Sequence, residues 1–430
     1  MTPKGEPHDT DEERALGSDI HHDPWLTPAC PALQALADTV FADIEHNSPM
    51  PPRQRRDATE RRRAITGNIV VSLALLVLHH PAGTPLAVSA RNDPATRYDR
   101  PRFPREVVTK LIGNMEALDL VTRQRGGRGN QRSTIEPTPR LRALLAGLDL
   151  GARPIGREAG AETIILKAST GRGRRKLLLD YADTPETIAM RADMTAINAF
   201  LTEADIGLDG SPPQLPVFLT RRFQIEHLDA SHAFDQHGRL YGGFWMSLPK
   251  TQRHLIRING EEVADLDFTA MFPQLAYLEA GAVLPQGDPY RGIEGLPRAA
   301  AKKGLSALLC RRGAMRRLPS EVREIIGKEW NADRLSQALA KRHPAIASMF
   351  GTGLGLRLMF TESRILVAAL RALMAQGVPA LPMHDGIMVP VSREPVAMWT
   401  LAQVSLEVAG TALPVVRKEI ERPSERREMP

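Results

Sequence analysis

The residues of this chain best placed to do chemistry are two aspartates and two cations, spread over three segments of its C-terminal half. The first segment runs Ile256-Arg-Ile-Asn-Gly-Glu-Glu-Val-Ala-Asp-Leu-Asp267-Phe-Thr-Ala-Met-Phe, apolar up to Asp267 and helical in pattern straight after it. A carboxylate at a strand end points into the cleft beyond the sheet, next to a main-chain carbonyl. Both are hard oxygen ligands suited to Mg²⁺. The second segment is Arg298-Ala-Ala-Ala-Lys302, whose two cations share one helix face and suit a triphosphate. The third, Leu381-Pro-Met-His384-Asp385-Gly-Ile-Met-Val, predicts a hairpin with its carboxylate at the tight turn. Asp267 and Asp385 lie 118 positions apart. Brought together, they can hold two Mg²⁺, or Mn²⁺ in their place, about 3.5–4 Å apart, the arrangement used for in-line phosphoryl transfer. Each residue also has a plainer role open to it. Asp267 can cap the following helix, and Arg298 with Lys302 can be a solvated face. Asp265, two residues earlier on the strand, shares the side of Asp267 as a supporting or merely hydrated carboxylate.

These segments need a framework, and 430 residues suffice for two or three domains. Residues 1–50 are rich in Asp, Pro and His and read as an acidic, mostly disordered tail with a short helix near residues 31–44. Residues 51–150 predict a DNA-binding domain. Six arginines between positions 53 and 63 lead into an apolar helix. A second helix starts at Pro104, with Val107, Val108, Leu111, Ile112, Met115 and Leu118 at helical spacing. Leu120-Val-Thr then turns extended and runs through a Gly-rich tip to Ser133-Thr-Ile-Glu. Helix, strand and basic hairpin resemble a winged helix, in which Arg123, Arg125, Arg128 and Arg132 neutralise DNA phosphates. A linker with paired strands covers residues 151–175, a catalytic region residues 176–420, and a charged tail residues 421–430. The expected fold class is α+β.

Charge supports a polyanionic partner. The net +6 divides into −8 for residues 1–50 and therefore +14 for residues 51–430, and the sequence pI is about 9.5. Cys30 and Cys310 are too few for a disulfide framework or a zinc site. With no signal-peptide pattern and no apolar run long enough for a membrane span, the reading is a cytoplasmic protein with no membrane partner. The absence of Gly-x-x-x-x-Gly-Lys-Ser/Thr argues against an ATP-driven helicase.

The three segments, in this order and spacing, resemble motifs A, B and C of family A polymerases: Asp267-Phe-Thr, Arg298-x-x-x-Lys302 and His384-Asp385. The stretch from Tyr241-Gly-Gly-Phe-Trp-Met to Asp267 is also similar to polymerase-like proteins of bacterial mobile elements. The resemblance covers roughly residues 176–420 and implies a right-hand palm with an antiparallel sheet and helical fingers. It implies that Asp267, Asp385 and the Phe268 carbonyl hold metal, that Arg298 and Lys302 bind nucleoside triphosphate, and that Arg239 and His384 contact primer and template. Phe272 stands where family members use a residue that blocks the ribose 2′-hydroxyl, which favours deoxynucleotides. The sequence departs from the family at Cys310, where an aromatic is usual, at Ser306, and at Gly386, where an acid often follows the motif C Asp. The implied activity is template-dependent DNA synthesis on a mobile element or in repair, with low processivity because no full-size thumb fits. The alternatives are a primase or RNA polymerase using the same palm, and a non-catalytic DNA-binding replication initiator.

Overall fold

The computed structural model describes residues 20–47, 56–88, 95–126, 133–169, 176–209, 216–228 and 232–422. The chain is α+β and divides into two compact units, one within residues 7–162 and one within residues 163–209 and 217–430.

In the first unit, β1 (Ile20–His21), β3 (Leu86–Val88), β5 (Ser133–Pro137) and β4 (Val121–Gln124) form a sheet in the order β1-β3-β5-β4. A second ladder pairs β2 (Leu26–Pro28) with β6 (Ile155–Arg157). Four helices pack with them: α1 (Pro31–Asn47), α2 (Arg56–His79), α3 (Arg105–Ala117) and α4 (Pro139–Ala146). The apolar positions of α3 sit as their spacing predicts, with Val108, Leu111, Ile112 and Met115 buried and Lys110 exposed. Thr138 caps α4 through its side chain, with Pro139 in the first turn. Among the described residues, α2 is the one helix long and apolar enough to cross a membrane, and 67% of its apolar window is buried. Asn68, deep in α2, donates to the carbonyls of Asp23 and Leu26 and so ties residues 22–26 across the helix. Those bonds bear on the expected tail. Residues 20–47 are folded, because Leu33, Leu36, Val40, Phe41 and Ile44 bury one stripe of α1. Of the acids in residues 20–47, Asp38, Asp43 and Glu45 lie on α1 outside that buried stripe. Residues 1–19 and 48–50 of the expected tail lie outside the described residues, as do Arg128 and Arg132.

In the second unit a mixed four-stranded sheet has the order β11-β10-β7-β8, built from β7 (Ile164–Ser169), β8 (Lys176–Leu178), β10 (Thr220–Ile225) and β11 (His237–Tyr241). The other sheet centres on β13 (Glu261–Phe268). On one side it pairs antiparallel with β15 (Gly386–Pro390), which carries β14 (Leu381–Met383). On the other it pairs with β12 (Ile256–Ile258) and then β16 (Val415–Lys418), and β9 (Ile206–Leu208) lies outside β12. Val263, Ala264, Leu266 and Phe268 are all buried, as a strand covered on both faces requires. The longer helices are α5 (Pro185–Glu203), α6 (Met271–Glu279), α7 (Arg298–Cys310), α8 (Ala332–Arg342), α9 (Gly355–Ala375) and α10 (Glu394–Ala409). A capping box of Thr184 and Thr187 starts α5. Of the paired strands expected over residues 162–167 and 176–181, β7 and β8 form and pair antiparallel.

Candidate active site

Asp267 and Asp385 converge. In the β13–β15 ladder Asp267 stands opposite Gly386, so the hairpin turn carrying Asp385 lies across the end of the same strand. The Phe268 amide reaches the Asp385 carbonyl at 3.4 Å. Gly386 explains the missing acid at its position. A Cβ there would stand 2.3 Å from the Leu266 carbonyl and 3.1 Å from Asp267 Oδ1, so a side chain would part the two strands. Trp245 fixes the other strand of the hairpin: it is fully buried and donates from Nε1 to the Pro382 carbonyl at 2.8 Å. Core packing is thus its role.

Asp267 is 7% exposed. Burial, then the charge of Asp385, pushes its carboxyl up to about 7, against the pull of Lys418. Its Oδ2 is ion-paired with the Lys418 ammonium, while its Oδ1 is buried with no hydrogen-bond partner. A helix-cap role is excluded by geometry. The cap of α6 is Ala270, in the left-handed region at φ 52°, with no side-chain bond to the helix. Asp265 is also 7% exposed, and burial raises its carboxyl, with Lys418, Arg253 and Lys250 opposing and Asp385 adding to the rise. An unpaired buried oxygen is a high-energy feature. One beside a second carboxylate and next to the Phe268 residue suits a divalent cation. Among the described residues no group of three His, Cys, Asp or Glu has a metal-holding arrangement. A pair of aspartates with a main-chain carbonyl still fits Mg²⁺, which is commonly held by one or two carboxylates and completed by water and substrate phosphate.

Behind the carboxylates lies an ion pair that sequence reading missed. Arg239 on β11 donates from Nε and Nη2 to the two oxygens of Glu362 on α9, at 2.7 and 3.0 Å. Glu362 is 1% exposed. Burial pushes its carboxyl up to about 7 despite Arg239, with Asp385 and Asp267 adding to the rise. For Arg239, burial works against the charge, but the adjacent Glu362 holds the guanidinium above its ordinary value. The bidentate geometry is that of an ionised pair, so the burial penalty on Glu362 is built into the fold. The sequence did carry a signal, one acid within the apolar run Leu358-Met-Phe-Thr-Glu362-Ser-Arg-Ile-Leu. The strand approaches the helix closely here, since a Cβ on Gly238 (φ +70°) would meet Ser363 Oγ at 2.7 Å.

Phe272, in the first turn of α6, has its ring 5.8 Å from the Arg239 guanidinium carbon. His384 lies edge-on to Tyr241, ring centroids 6.1 Å apart. Burial, then Arg239, pulls its imidazole down to about 4, so it is neutral at pH 7, and Nδ1 is buried without a partner. Asp267, Phe268, Phe272, Asp385, His384 and Arg239 therefore form one neighbourhood, joined by pairing, ring contact and mutual electrostatic influence.

Arg298 and Lys302 are exposed on one face of α7, as expected. Arg298 is engaged: Nε donates to Asp288 at 2.5 Å, and its guanidinium lies 5.3 Å from the Tyr290 ring centre. Burial raises the Tyr290 hydroxyl's pKa, Arg298 lowers it, and Asp288, Asp385 and Asp267 raise it further. Tyr290 thus connects the cationic face to the carboxylates electrostatically. Cys310 is half-buried, and a Cβ on Gly355 would stand 2.3 Å from its Sγ, so close packing of α7 on α9 takes the place of an aromatic platform. In the first unit, Arg123 on β4 is half-buried and Arg125 is exposed just beyond it.

No protein-family model matches the chain, and no curated protein matches it. Residue types and geometry alone therefore carry the functional reading.

Proposed function

We propose that the chain is a template-dependent DNA polymerase built on a family A-type palm, with Asp267 and Asp385 as its metal-binding carboxylates. The observation that carries the reading is the register of β13 on β15, which sets two sequence-distant aspartates side by side and leaves one oxygen of Asp267 buried and unpartnered. A pair of Mg²⁺ held there would activate a primer 3′-hydroxyl and neutralise the departing pyrophosphate. The chain's own groups do the rest. Arg298 and Lys302 receive the triphosphate on the exposed face of α7. Phe272 forms a wall at the sugar, backed by Arg239, whose guanidinium Glu362 holds in a fixed plane. Neutral His384 lies at the primer end as a packing and hydrogen-bonding group rather than a general base.

The first unit reads as a winged helix. Its α3 precedes the β4–β5 hairpin, β3 pairs with β5, and Arg123 and Arg125 stand on the wing strand and at its end. It supplies affinity for duplex DNA through phosphate contacts.

Primer extension with dNTPs and Mg²⁺ tests the assignment. Asp267→Asn and Asp385→Asn each abolish incorporation, whereas undiminished incorporation by either variant refutes the site. Phe272→Ala admits ribonucleotides. Efficient unprimed synthesis from rNTPs would instead make the enzyme a primase. Tight DNA binding with no incorporation under any of these conditions would leave a DNA-binding initiator.

A further inference from the structure

We propose that Lys418 is a tethered cation that competes with a divalent metal for Asp267, so that the charge of one lysine sets how tightly this site takes up metal. The proposal rests on the reading of Asp267 and Asp385 as metal ligands and assigns a role to a residue that reading does not use.

The placement of Lys418 comes from the backbone. On β16 it stands directly opposite Asp265 of β13, and residues paired this way project to the same side of the sheet. Asp267, two residues on, shares that side. Within this frame the Lys418 ammonium forms an ion pair with Asp267 Oδ2, while Asp267 Oδ1 remains unpartnered. The lysine's charge faces three carboxylates, Asp267, Asp385 and Asp265. Arg239 is bonded to Glu362 and Arg298 to Asp288, and Arg253 and Lys250 act on Asp265, while Lys418 is ion-paired with Asp267 itself. Lys418 therefore occupies the second Asp267 oxygen, which a pair of ions sharing this carboxylate would need in addition to Oδ1.

The consequence is set by coordination chemistry. A carboxylate oxygen in close contact with an ammonium cannot also take an inner-sphere bond to Mg²⁺ or Mn²⁺ without displacing it. The Lys418 side chain is 48% exposed, so it can swing out into solvent when a metal arrives. Exposure also keeps the competition modest, because water screens the pair. We expect about a tenfold effect on metal affinity. The device would offset one of the three acids' charges in the metal-free site and release Asp267 only when metal concentration, or metal delivered with a triphosphate, outcompetes the lysine.

The test is direct binding of Mn²⁺ to the full chain, read from the electron paramagnetic resonance signal of free Mn²⁺. Lys418→Gln keeps an N–H donor but removes the charge, and it should bind roughly tenfold more tightly than the wild type. Lys418→Arg should bind like the wild type. Asp267→Asn and the double variant Asp267→Asn/Lys418→Gln should bind equally weakly, since the coupling needs both partners. Lys418→Met provides a second neutral variant, and the rise in melting temperature on adding Mn²⁺ should be larger for either neutral variant than for the wild type. Equal affinity of wild type and Lys418→Gln, with Asp267→Asn still weakened, overturns the proposal and leaves the metal site standing. No Mn²⁺ binding by wild type or Lys418→Gln overturns both.

Discussion

Replacing Asp267 by Asn should stabilise the metal-free protein at neutral and alkaline pH, the reverse of what removing an ion-paired carboxylate usually does. The folded-state pKa of Asp267 is about 7, against 3.8 for the free side chain, with burial as the main cause and Asp385 next. Between those two values the folded protein binds a proton that the unfolded chain does not. Stability from this group is therefore fully present below the unfolded pKa and is lost as pH rises through about 7. At about 1.4 kcal/mol per tenfold change in proton affinity, the full displacement corresponds to about 4 kcal/mol. Asp385 and Lys418 share in it, so about 2 kcal/mol is a reasonable expectation for Asp267 alone, or ~4–8 °C in melting temperature for a unit of this size. The assay is thermal or urea unfolding in EDTA at pH 5, 6, 7 and 8. The Asn variant should gain on the wild type steadily from pH 5 to 8, and added Mg²⁺ should raise the wild type alone. Parallel pH profiles for the two chains, or an Asn variant less stable at pH 8, would refute the argument that burial beside Asp385 strains this carboxylate.

Three further outcomes are expected from the same geometry. Glu362→Ala leaves Arg239 buried without its partner and should destabilise the second unit by about 3–5 kcal/mol, measured by urea unfolding, whereas removing both charges should cost less. Gly386→Ala drives a methyl against the Leu266 carbonyl and Asp267, so incorporation should fall at least tenfold while unfolding shows a loss of about 1–3 kcal/mol. Arg123→Ala and Arg125→Ala should each weaken binding to duplexes of any sequence. Each should also reduce the slope of log affinity against log salt by about one, as read by fluorescence anisotropy across a salt series.

Local signals in the sequence were enough for several elements. The 3.6-residue spacing of Val108, Leu111, Ile112 and Met115 specifies a helix from neighbours alone. The hairpin around Asp385 was legible in the same way, from apolar flanks around His-Asp-Gly. The helix near residues 31–44 was legible too, but the folding of the stretch before it was not, because it depends on bonds to Asn68, 42 and 45 positions away. The residue types that could do chemistry, Asp267, Asp385, Arg298 and Lys302, and the order of their segments were set by the sequence alone. Tertiary structure decided which groups surround them. It placed Gly386 against Asp267, Glu362 under Arg239, Asp288 on Arg298 and Lys418 on Asp267. Those partners are 10 to 151 positions away in the chain, as the numbering of Asp288–Arg298 and Asp267–Lys418 gives. Propensity and periodicity report on neighbours within a turn or a strand. Burial and field at a carboxylate depend on strand register and helix packing, which only the folded chain has.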